Sequence, residues 1–142
     1  METLPLEIQS LVVSYIPIKE RIELVNSFPS LWPAFKCSIE MYPVTCPWDT
    51  TNEDLAFLSG VKKINLVFCE RITDSGLAFL SGVKEIDLSN CYFITDAGLS
   101  YLKGVEKISL NECRNVTDKG LAFLKGAKEI SLRVCNFYEC HI

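Results

Sequence analysis

The sequence is poor in the residues that most catalytic and metal centres require. It holds one histidine, His141, the penultimate residue of the chain. A base so close to a chain end is poorly held. Cys135-x4-Cys140-His141 offers three ligands where a structural zinc site takes four. Cys140 and His141 are adjacent, and no third group is placed to orient them as a nucleophile and its base. No glycine-rich phosphate loop occurs, because the glycines are spread along the chain at regular intervals. These absences lead to the expectation of a protein that is not an enzyme and uses no metal or cofactor.

Positive charge is also scarce. Fourteen Lys and Arg stand against eighteen Asp and Glu, for a net charge of −4. That balance excludes the clustered basic surface that nucleic-acid binding needs. No apolar run approaches the ~20 residues of a membrane span. Met1 to Glu7 carries acid where a secretion signal carries base, and no apolar segment follows. Seven cysteines, an odd number, then suggest reduced thiols in the cytoplasm or nucleus of a protein that is not secreted.

What the sequence does contain is a repeat. Cys69, Cys91, Cys113 and Cys135 are each 22 residues apart (91−69, 113−91, 135−113). Gly60, Gly82, Gly104 and Gly126 keep the same step, as do Leu55/Leu58, Leu77/Leu80, Leu99/Leu102 and Leu121/Leu124. Such a period marks a solenoid. In Val61-x-x-Ile64-x-Leu66-x-x-Cys69 the apolar residues alternate, which predicts a short strand with one face inward. In Thr73-Asp74-Ser75-Gly76-Leu77-Ala78-Phe79-Leu80 the leucines lie three apart, on one side of a short helix. Thr73 or Asp74 is expected to cap that helix, and Gly82 to end it in a left-handed conformation. Tyr42 and Val44 lie 22 residues before Ile64 and Leu66, so Tyr42-Pro43-Val44 reads as a degenerate leading strand. About five parallel strands result, in an α/β architecture with repeats at 51–72, 73–94, 95–116 and 117–138 and the leading strand at about 42–46. The phrase Ile72-Thr73-Asp74-x-Gly76-Leu77-x-x-Leu80 resembles the cysteine-containing leucine-rich repeats over residues 51–135. That resemblance implies an inward cysteine whose thiol serves backbone groups of the turn.

Residues 4–35 do not fit the period. Leu4, Ile8, Leu11, Val12, Tyr15 and Ile16 recur at helical spacing, which predicts a helix over residues 5–16 between Pro5 and Pro17. A second helical stretch with Ile22, Leu24 and Val25 runs to Phe28-Pro29, and Leu31, Trp32 and Phe35 form an apolar cluster. On periodicity alone this unit is an amphipathic cap for the first repeat. Leu4-Pro5-x-Glu7-Ile8, Val12-x-Ser14-Tyr15-Ile16-Pro17 and Trp32 also resemble an F-box, with Arg21 where that motif has leucine. The resemblance implies an F-box-like unit over residues 1–40, ahead of a solenoid over 41–142. It further implies that Leu4, Pro5, Ile8, Val12, Ile16 and Trp32 contribute to binding a Skp-type adaptor of an SCF ubiquitin ligase.

Strand residues flanking the inward pair point to solvent on the concave side. The column Lys63/Glu85/Lys107/Glu129 alternates in sign and is expected to neutralise itself. The other two columns supply the target-binding candidates Asn65, Val67, Asp87, Ser89, Asn111 and Arg133. Phe57, Phe79, Tyr101 and Phe123 are expected to pack helix against helix on the convex side. The chain end is expected to be covered by Phe137, Tyr138 and Ile142 or by a partner.

Overall fold

Proline sets the limits of the first helices. The computed structural model describes residues 4–133. Helix α1 (Leu6–Ser14) starts after Pro5, whose carbonyl accepts from the amides of Ile8 and Gln9. Helix α2 (Ile18–Ser27) starts after Pro17 in the same way. A 3-10 turn at Pro29–Leu31 leads into α3 (Trp32–Met41), where Pro33 lies in the first turn and removes an N–H that had no helical partner. The apolar cluster at Leu31, Trp32 and Phe35 therefore opens a helix that the sequence reading had not assigned. It buries Ala34, Phe35, Ser38 and Ile39 on one side.

Five short strands follow: β1 (Val44–Thr45), β2 (Lys63–Asn65), β3 (Glu85–Asp87), β4 (Lys107–Ser109) and β5 (Glu129–Ser131). They form one parallel sheet in chain order, as a stacked repeat requires. Between them run helix α4 (Asn52–Ala56) and the single turns α5 (Asp74–Leu77), α6 (Asp96–Leu99) and α7 (Asp118–Leu121). Each of these three turns continues as a 3-10 segment. Gly60, Gly82, Gly104 and Gly126 all have positive φ, so the left-handed stop expected at Gly82 recurs in every copy.

The register departs from expectation at the first step. Val44 pairs with Ile64 and Thr45 with Asn65, a step of 20 (64−44), whereas Lys63–Glu85 and the later pairs step by 22 (85−63). Both numbers are even, so the inward face is preserved. Val44 fills the slot of Ile64 rather than of Leu66, the buried Cys46 follows in the next inward slot, and Tyr42 belongs to the end of α3.

The phrase Thr-Asp-x-Gly has a division of labour that spacing did not reveal. Thr95 and Thr117 cap their own helices, accepting from the amides of Ala97 and Lys119. The aspartates reach forward instead. Asp74 accepts from the Thr95 amide at 2.8 Å and the Thr95 hydroxyl at 2.6 Å, and Asp96 does the same to Thr117 at 2.7 and 2.6 Å. In the first copy Asn52 takes this role with Thr73. The expectation that Asp74 caps its own helix is corrected here: it joins one copy to the next. The glycine makes room for the joint, since a Cβ on Gly98 would overlap the Asp74 carboxylate oxygen.

Cysteines form a second ladder. Cys69, Cys91 and Cys113 are fully buried, and their thiols donate to the carbonyls of Pro47, Leu66 and Leu88 at 3.3, 3.1 and 3.0 Å. Each thiol thus satisfies a backbone acceptor of the preceding copy. The apolar core is continuous from Ile18, Ile22, Val25, Phe35 and Ile39 of the helical unit through Val44 into the repeats. Trp32 stacks on Phe57 at 6.2 Å, and Lys19 binds Asp49 at 2.7 Å, so the helical unit closes the first repeat. On β5, Ile130 and Leu132 are 41% and 42% exposed, although their counterparts in β2–β4 are buried. Cys135, Cys140, His141 and the aromatic chain end lie outside the described residues.

Candidate protein-binding surfaces

Two surfaces are open to a partner: the concave face of the sheet and the outer face of α1. The concave face is a groove of about 550 Å³ floored by β1–β5. Two outward columns line it, Thr45/Asn65/Asp87/Ser109/Ser131 and Lys63/Glu85/Lys107/Glu129. The charges pair two and two, Lys63 with Glu85 at 3.0 Å and Lys107 with Glu129 at 3.6 Å. All four side chains are well exposed, so these pairs set the local potential more than they stabilise the fold. The charged column lines the groove, although the sequence reading gave it only a neutralising role.

The six predicted groove residues fare differently. Asn65 and Asp87 line the groove, and each turns one oxygen back to its own chain, accepting from the amides of Val67 and Ser89. Ser89 was expected to face solvent. It is 7% exposed instead, because the chain curls inward after β3 and its hydroxyl bonds Ser109 at 2.9 Å. Asn111 donates to Ser109 at 2.9 Å and accepts from Ser131 at 3.1 Å, so it braces the floor. Val67 is half-buried beside the groove, and Arg133 is exposed at the limit of the described chain. The structure gathers Asn65 and Asp87 in the groove, ties Ser89 and Asn111 to serines that line it, and leaves Val67 and Arg133 out of its lining.

On α1 the buried side, Ser10 and Val13, faces α3. The other side is apolar and uncovered: Leu4, Ile8 and Val12 are 58%, 45% and 57% exposed, with Pro5 beside them. Ile16 is half-buried. Leu4, Val12, Ile16, Leu24 and Leu31 line a shallow groove of about 360 Å³. Trp32 does not line it, since its ring packs edge-on to Phe35 at 5.3 Å and flat on Phe57. Among the predicted six, five cluster at this face and Trp32 serves the junction with the repeats. Beneath the face, Arg21 is buried without a carboxylate partner among the described residues. Its guanidinium donates to the Ile16 carbonyl and to Ser38, and burial pulls its pKa down.

The thiols are chemically quiet. Burial pushes Cys46 and Cys91 up to about 12 and Cys69 and Cys113 up to about 11, so none supplies a thiolate at neutral pH. The convex aromatic column splits: Phe57 is packed by Trp32, whereas Phe79, Tyr101 and Phe123 stay substantially exposed. The sequence reading also passed over Trp48 and Phe68, both highly exposed. Comparing columns would have found Phe68, which sits where the next two copies have Asn90 and Glu112.

The repeats match a known family. Residues 61–81 and 83–103 each match the family described as Leucine Rich repeat, which agrees with the 22-residue step and the parallel sheet. The match covers those two copies, supports a leucine-rich-repeat reading of them, and leaves the helical unit unassigned. No curated protein matches the chain. Among the described residues no helix is long and apolar enough to cross a membrane.

Proposed function

We propose that the protein is an adaptor with two binding surfaces. The outer face of α1 docks on a Skp-type adaptor of an SCF ubiquitin ligase, and the concave groove holds a target protein for ubiquitylation. The observation that carries this reading is the apolar face of Leu4, Ile8 and Val12, left uncovered although the core is closed by residues of α2 and α3. A cap needs only the inner side of the unit. An uncovered apolar strip opposite it is the usual mark of a protein-binding face. The ligase assignment is supported by the resemblance of Leu4-Pro5, Ser14-Tyr15-Ile16-Pro17 and Trp32 to an F-box. The groove's role is supported by its position on the open face of leucine-rich repeats, a fold that presents extended concave binding surfaces. The proposal contains no catalytic step, and it places the protein in the cytoplasm or nucleus, where such ligases work.

The test is binding of the purified chain to the Skp-type adaptor, beside a Leu4→Ala/Pro5→Ala variant of matched thermal stability. Binding by the parent and its loss in the variant is the expected outcome. A folded parent that does not bind removes the ligase role. It leaves a second reading, favoured by the continuous core through Ile22, Phe35 and Val44: a free-standing repeat module whose helices only cap.

A further inference from the structure

We propose that Asp87 recognises a basic side chain, lysine or arginine, on the protein segment held in the concave groove. This rests on the reading of the groove as the target-binding face and adds the chemistry of what sits at its centre.

The charge count comes first. Among the described residues that line the groove, Lys63 and Lys107 are positive and Glu85, Asp87 and Glu129 negative, a net of −1 (2 − 3). Lys63 is taken by Glu85 and Lys107 by Glu129. Asp87 pairs with no Lys or Arg among the described residues. Turning either lysine toward Asp87 uncovers a glutamate, so every arrangement leaves one carboxylate without a counter-charge.

What the fold needs comes second. Asn65 and Asp87 are register partners and hold the same slot in successive copies. They also do the same local work. Asn65 Oδ1 accepts from the Val67 amide at 3.0 Å, and Asp87 Oδ1 from the Ser89 amide at 2.9 Å. The turn therefore needs one side-chain oxygen, which a neutral asparagine supplies. The rest of the column, Thr45, Ser109 and Ser131, is neutral too. At Asp87 the second oxygen accepts from no donor among the described residues. The charge is the one feature of this column that stacking does not use.

Position is third. Asp87 lies on β3, the middle strand of five, and is half-buried on the groove floor. A segment crossing the sheet covers it and removes the water around it. A carboxylate covered in that way needs a cation and a hydrogen-bond donor together. Lysine and arginine supply both. A neutral or acidic side chain at that point leaves a desolvated charge unpaired, so Asp87 discriminates among targets.

The test uses the full chain and a defined probe. Random dodecapeptides displayed on phage are selected on the parent, and those blocked by Lys107→Trp, which fills the groove, are kept and titrated. We expect an aligned lysine or arginine in the kept peptides. Replacing it by glutamine weakens binding to the parent about ten-fold. Asp87→Asn, which retains the acceptor for the Ser89 amide, binds the basic and glutamine peptides alike, at the weaker level. Its Tm stays within about 3 °C of the parent. Kept peptides with no aligned basic residue overturn the proposal and leave the groove reading intact. So does a preference for the basic peptide that survives Asp87→Asn, since another carboxylate is then the receptor. A fall in Tm of about 10 °C or more in Asp87→Asn makes the charge a folding requirement and also overturns the proposal. Selection of no peptide that Lys107→Trp blocks removes the groove reading and this inference with it.

Discussion

The repeats and the helical unit handle their surfaces in opposite ways. In the repeats nearly every polar group of the turn is answered one copy along: Asp74 by Thr95, Asp96 by Thr117, the Leu66 carbonyl by Cys91. In the helical unit Arg21 is buried against neutral acceptors, and the apolar side of α1 has no cover. Residues shared by every copy are thus accounted for by stacking. Leu4, Ile8 and Val12, which stand outside the period, are left exposed instead.

That contrast can be broken most strongly at high pH. The four buried thiols are neutral in the fold and have pKa values of about 11 to 12, above the ~8.5 of a free cysteine. A raised folded value means that stability is full below about pH 8.5 and falls as pH rises toward the folded values. The loss is up to about 1.4 kcal/mol per thiol per pH unit. Urea unfolding at pH 8 and 10 measures it, and Cys91→Ala is expected to remove one thiol's share of the slope.

Gly98→Ala is next in size. Its Cβ would overlap Asp74 and approach Leu77, so the joint between copies must open, at about 2 to 4 kcal/mol. Gly104→Ala meets nothing within 4 Å and costs only the left-handed backbone, about 1 kcal/mol. Comparing the two by chemical denaturation separates crowding from backbone strain at two glycine columns of the repeat, one glycine in three copies and one in all four. The smallest effect is Asp96→Asn, which copies the arrangement of Asn52. The Thr117 hydroxyl and amide hold the Asp96 carboxyl below the usual carboxylate range, so its contribution is present above about pH 4 and lost as pH falls through the folded value. The variant is expected to match the parent at pH 7 and to lose less stability on acidification, read by thermal melts at pH 7 and 3.

Much of the fold was legible because the repeat reports it several times over. Four copies pointed to the strand at Ile64-x-Leu66 and the stop at Gly82, and the family resemblance implied the inward cysteine. The two-residue slip at β1 was not legible, because Val44 and Cys46 are a single degenerate copy with no second instance to set the phase. The forward reach of Asp74 was hidden for a different reason. A cap and a joint to the next copy use the same residues at the same spacing, and only the direction of the side chain separates them. Helix α3 was hidden by Pro29 and Pro33, which read as turn signals until Pro33 is seen in a first helical turn. For the candidate surfaces, helical spacing located the α1 face. Strand alternation located Asn65 and Asp87 but misplaced Ser89, since alternation stops where the strand does.

The central claim is that the outer face of α1 is surplus to folding. Thermal unfolding of Leu4→Ser/Ile8→Ser/Val12→Ser tests it most directly. The account predicts a Tm within about 5 °C of the parent, because exposed substitutions of this kind change stability by less than about 0.5 kcal/mol each. A fall of about 10 °C or more would mean that these side chains hold the unit together, and the face would be part of the cap rather than a docking site.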